Sequence, residues 1–90
     1  MATQPDVSAV REHLERVLAS TTFQQADRLK RFLRFIVEET LEGRGNELKE
    51  YVVAVRVFEK EDSFDPRTDP LVRVQARRLR ARLSQYYRDV

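Results

Sequence analysis

Five arginines stand between positions 73 and 82, at Arg73, Arg77, Arg78, Arg80 and Arg82, and no Asp or Glu occurs from Leu71 to Arg88. A guanidinium is always charged and presents its donors as a rigid planar fork that matches phosphate oxygens or a guanine edge. The chemistry open to this stretch is the gripping of anions. On a merely solvated helix, acids three or four residues from each arginine would add roughly 0.2–0.5 kcal/mol per pair, and arginine beside arginine loses similar amounts. Something beyond the helix must offset that repulsion, either acids on a packed neighbour or an external phosphate backbone.

Bond-making chemistry has little to work with. The chain has no cysteine, two glycines that form no phosphate loop, and one histidine, His13. A lone histidine makes no metal site, so His13, beside an apolar helical face, has a structural or surface role. The carboxylates mostly sit at helix-surface spacing from Lys or Arg, where they serve solvation. Asp65 and Asp69 each precede a proline and read as caps, and the calcium-loop pattern is absent. The chain is expected to be no enzyme, with no cofactor, metal or small-molecule substrate.

The arginines need a helix to present them. Asp69 is its expected cap and Pro70 its first residue, giving a span of about 70–88. At about 100° per residue, Val72, Ala76, Leu79, Leu83 and Tyr86 share one stripe, the core face. Arg73, Arg77 and Arg80 lie on one flank with Arg88 nearby, and Arg78 and Arg82 lie on the other. Val74, Ala81, Ser84 and Gln85 complete the outward surface, where the small Val74 and Ala81 allow close approach to a groove.

Three further helices are expected upstream, at about 5–19, 24–42 and 47–59. The first starts at Pro5 and carries Val7, Val10, Leu14, Val17 and Leu18 on one face. In the second, Leu29, Phe32, Leu33, Ile36, Val37 and Leu41 form a broad apolar stripe, and Gly43 is placed to end it. The third is ambiguous, because Tyr51 to Phe58 is rich in β-branched residues and has strand propensity. Its helical reading takes Asn46 as cap and puts Leu48, Tyr51, Val52, Val55 and Phe58 on one face; with no second strand-like segment to pair with, helix is favoured. The polar connector 59–69 contains two Asp-Pro boundaries, with Phe64 as a plug holding it to the core. These 90 residues amount to one all-α, four-helix domain.

The net charge of +2 is unevenly spread. Residues 1–65 hold 10 Lys/Arg and 13 Asp/Glu, whereas residues 66–90 hold seven Arg and two Asp. This asymmetry points to a polyanion-facing end. The longest apolar run, Tyr51 to Val55, is too short for a bilayer, and the N-terminus lacks a signal-peptide layout. A cytoplasmic chain with no membrane partner is expected.

An amphipathic helix, a second helix, a connector and a basic helix follow the order of a helix-turn-helix unit, although the connector exceeds the tight turn of its simplest members. At Val72 to Leu83 the sequence resembles the recognition helix of the OmpR/PhoB-type winged helix-turn-helix: Val72 and Val74, then Arg77, Arg78, Leu79 and Arg80, then Arg82 and Leu83. Residues 28–39 resemble that family's first core helix and residues 48–59 its positioning helix. A longer resemblance, about 23–87, is to a winged-helix-like domain found at the N-terminus of bacterial multidomain signalling or regulatory proteins. It implies double-stranded DNA as partner, with Arg73, Val74, Arg77 and Arg78 in the major groove, Arg80 and Arg82 on phosphates, and Ala76, Leu79 and Leu83 in the core. A homodimer on paired half-sites would supply specificity. The chain departs from the family in opening with a helix where response regulators have a sheet, and in lacking the β-hairpin wing after its last helix. It is expected to be a fragment without its wing or a wingless variant. The alternative is a protein-interaction or oligomerisation module, in which the acid-rich first 65 residues dock on the basic helix of a second copy. Tyr86 and Tyr87 would then be either core or contact surface.

Overall fold

Asp6 opens the first helix. Its Oδ1 accepts from the N–H of Ser8 at 3.0 Å and of Ala9 at 3.3 Å, so one carboxylate meets two orphan donors of the helix start. The computed structural model describes residues 6–89, and the expected start at Pro5 lies outside them. Helix α1 spans Val7–Leu18 and buries Leu14, Val17 and Leu18.

The second helix, α2, spans Asp27–Leu41 and starts later than its apolar spacing suggests. Thr21–Phe23 first winds a 3-10 turn that buries Thr22 and leaves the Phe23 ring with no exposed surface. Gln25 then enters the left-handed region, at φ 61°, which a right-handed helix cannot include. Only from Asp27 can the chain wind on. At the other end Gly43 does what the sequence suggests. It adopts φ 83°, its N–H donates to the Thr40 carbonyl at 3.1 Å, and the Arg44 N–H reaches back to Glu39 at 2.8 Å. This double closure is the Schellman arrangement, which favours glycine at the left-handed position. Gly43→Ala should lower stability by about 1 kcal/mol through that backbone strain alone, since a Cβ there meets no neighbour. An unchanged urea midpoint would contradict this.

Helix α3 spans Glu50–Phe58, which resolves the strand-or-helix ambiguity, and there is no strand among the described residues. Two expectations for it are corrected. Asn46 does not cap it; Asn46 lies in a 3-10 turn, Gly45–Glu47, and the helix begins beyond Lys49. The buried face is Val53, Ala54 and Val57, with Phe58 partly buried, so it is rotated from the expected one. Small side chains let α3 come close to both α2 and α4, with Ala54 fully enclosed, while the bulkier Tyr51 is left 41% exposed. Glu59 ends the helix at φ 58°.

Asp65 organises the connector. Its Oδ1 accepts from the Arg67 N–H at 2.9 Å, and its carbonyl accepts from the N–H groups of Thr68 and Asp69 at 3.1 and 2.9 Å. Phe64 packs half-buried against the core, as its plug role requires. Asp69 then accepts from the Leu71 N–H at 3.0 Å and starts α4, Leu71–Asp89. Val72 and Leu79 are buried and Ala76, Leu83 and Tyr86 partly so, which is the core stripe read from the spacing. All four helices contribute to one apolar cluster centred on Phe23, Phe32, Val57 and Leu79, with Phe32 and Phe58 meeting edge-to-face at 5.4 Å between ring centres. The fold is therefore all-α. No described helix is long and apolar enough to cross a membrane.

Candidate nucleic-acid interface

Whether acids inside the molecule neutralise the arginines of α4 is a matter of geometry. Most of the carboxylates that could do so are engaged elsewhere. Glu38 pairs with Arg11 of α1 at 3.1 Å, Glu15 of α1 with Arg34 at 2.6 Å, Glu39 with Arg44, and Glu59 with Arg31 at 3.6 Å. These pairs tie α1 to α2 and close the ends of α2 and α3.

Two of these carboxyl groups, and Asp65 of the connector, titrate below their usual values. The side-chain hydrogen bond from Arg34 lowers Glu15, and that from Arg44 lowers Glu39. Asp65 is lowered first by the Arg67 side chain and then by the Arg67 backbone N–H. A carboxylate whose folded pKa is depressed stabilises the fold above its unfolded value and loses that contribution as pH falls through the folded one. The thermal midpoint should therefore be level from neutral pH down to about 5 and fall below 4.5, the ordinary glutamate value. A midpoint that held steady to pH 3 would show these pairs contributing nothing.

The six residues singled out in the sequence divide three ways. Arg73 is fastened: its Nη2 donates to the Pro66 carbonyl at 2.8 Å and its Nε lies 3.6 Å from Glu50 Oε2. Glu50 Oε2 is buried with no hydrogen-bond partner, so Arg73 is the cation that compensates it. Arg82 is also fastened, half-buried and donating to the Thr22 carbonyl of the 3-10 turn. Val74, expected to face outward, is half-buried. Arg77, Arg78 and Arg80 are exposed and have no ion pair or side-chain hydrogen bond among the described residues, and Arg88 is the same. Glu50 is the one carboxylate that reaches an α4 arginine among those residues.

The two flanks of α4 have different surroundings. Arg73, Arg77 and Arg80 are on the flank nearer α3 and the connector. Arg78 and Arg82 face the start of α2 across a cleft of about 670 Å³, whose walls include Arg28 and Gln75. Sequence reasoning gave Arg28 and Gln75 no role in the site, yet Gln75 is only 8% exposed. Its place in the stripe 75, 78, 82, 85, with steps of three and four, was the available signal. His13 has the structural role expected of it, with Nε2 2.7 Å from the Tyr87 hydroxyl and the two rings stacked. Tyr86 packs against the core, whereas Tyr87 is 55% exposed.

Comparison of the chain with known protein families, curated proteins and solved structures returns no match.

Proposed function

We propose that this chain is a DNA-binding domain of a cytoplasmic transcriptional regulator, with α4 as the helix laid on the duplex. One observation carries the reading. Arg77, Arg78 and Arg80 crowd one exposed helix with no acidic partner among the described residues, in a chain holding 15 Asp and Glu. Their mutual repulsion is left for an external polyanion to offset, and phosphates do so with release of counterions. The resemblance of Val72 to Leu83 to a winged helix-turn-helix recognition helix points the same way. A single helix reads only a few base pairs, so site selection calls for a dimer on paired half-sites. The alternative, a second copy docking its acids on α4, has less support, because Glu15, Glu38, Glu39 and Glu59 are already paired within the chain.

The test is fluorescence anisotropy of the chain with random-sequence duplex across a salt series, beside an Arg77→Ala/Arg78→Ala/Arg80→Ala variant. Salt-sensitive binding by the wild type that the variant loses is the expected outcome. No binding by the folded wild type at low salt, or equal binding by both, overturns the reading.

A further inference from the structure

We propose that the cleft between the start of α2 and the inner flank of α4 binds a phosphate group, and that in the working complex this is a phosphate of the DNA backbone. The second clause rests on the DNA reading. The first stands on the cleft itself.

Two independent observations support the cleft as a phosphate site. First, α2 begins without a side-chain cap: Ala26 occupies the position where Ser, Thr, Asp or Asn would close the helix, and the N–H groups of Asp27, Arg28 and Leu29 have no partner among the described residues. A helix of 15 residues directs its positive end at whatever lies there. Second, Gln75 is more than nine-tenths buried and opens on this cleft, yet its amide has no hydrogen bond among the described residues. The residue is held in place by burial while its amide, with no such bond, opens on the cleft and is free to donate to a ligand there. Gln75, the first residues of α2 with their free N–H groups, and Arg28, Arg78 and Arg82 all line this one cavity. Arg82 is already held in place by the Thr22 carbonyl. One carboxylate, Asp27, also lines the cleft and opposes an anion, leaving three cations against one acid.

The position on α4 fits a duplex. A helix lying in the major groove has a sugar–phosphate strand on each side of it. Arg77 and Arg80 belong to one flank of α4; the cleft lies along the other, where the second strand would pass.

The experiment is a 1H–15N NMR titration of the full chain, first with inorganic phosphate and then with random-sequence duplex. Phosphate should move the backbone amides of Asp27, Arg28 and Leu29 and the side-chain amide of Gln75. Arg78→Ala, an exposed and partnerless position, should weaken phosphate binding about tenfold through loss of a charge-assisted hydrogen bond. Asp27→Asn should tighten it about two- to fivefold by removing the opposing charge at the helix start. This gain cannot come from misfolding. Duplex should then move the same amides. If phosphate leaves them still, the cleft proposal is overturned. If duplex binds without moving them, DNA binding stands and the cleft's part in it fails. If phosphate moves them and duplex does not bind at all, the phosphate site stands and the DNA reading falls.

Discussion

Alanine at Arg77, Arg78 and Arg80 together should remove most of the salt dependence of duplex binding while leaving the protein folded. Each phosphate neutralised by a cation contributes about −0.9 to the slope of log affinity against log salt, so three contacts contribute about −2.7. Over a fourfold rise in salt the wild type should then lose about fortyfold more affinity than the variant. The three side chains are exposed and touch no partner among the described residues, so the substitutions should change stability by about 0.5 kcal/mol or less. Easing repulsion between neighbouring guanidinium groups pushes that small change towards greater stability. Arg73→Ala is the contrasting control. It strips Glu50 Oε2 of its compensating cation and frees the Pro66 carbonyl, so it should cost about 1–2 kcal/mol of stability. Circular dichroism melts separate the two cases. A triple variant with the wild-type salt slope would falsify α4 as the contact surface.

Phe23→Ala should cost about 3–5 kcal/mol, the usual loss for a fully enclosed aromatic ring. A chain of 90 residues has a total stability of roughly 5–13 kcal/mol, so this one change could consume most of it. Phe23 has no exposed surface and packs in the same cluster as residues of α1, α2, α3 and α4. It also belongs to the 3-10 turn whose Thr22 carbonyl holds Arg82, so its loss should loosen the cleft flank of α4 as well. Tyr51→Ala, at a ring left 41% exposed, should cost far less. Urea unfolding of the two variants measures the difference. Equal midpoints would mean that the core is not centred where Phe23 lies.

The helices of this protein were legible wherever local chemistry decides. Asp69 before Pro70, Gly43 after a periodic apolar stretch, and the Val72, Leu79, Leu83 spacing each depend on residues within a turn or two of one another, and each appears in the fold as read. Errors arose where distant residues decide. The face of α3 is set by how closely α2 and α4 can approach Ala54, and its own periodicity allowed the neighbouring face equally well. The late start of α2 depends on Phe23 being drawn into the core, which forces Gln25 into a left-handed turn.

The candidate site shows the same division. Sequence alone determined that α4 carries a series of arginines uninterrupted by any acid from Leu71 to Arg88, on a helix with one apolar stripe, because charge and periodicity are properties of a single segment. Only the tertiary structure decided which of those arginines remain available. Arg73 and Arg82 are held by Glu50, Pro66 and Thr22, residues 7 to 60 positions away in the chain, while Arg77, Arg78 and Arg80 meet no such partner among the described residues. Gln75 reads as one more polar residue in sequence, and the fold makes it a largely buried residue whose amide opens on a cationic cleft. Coulombic and hydrogen-bonding partners are chosen by distance in space, which the order of residues along a chain specifies only through the fold.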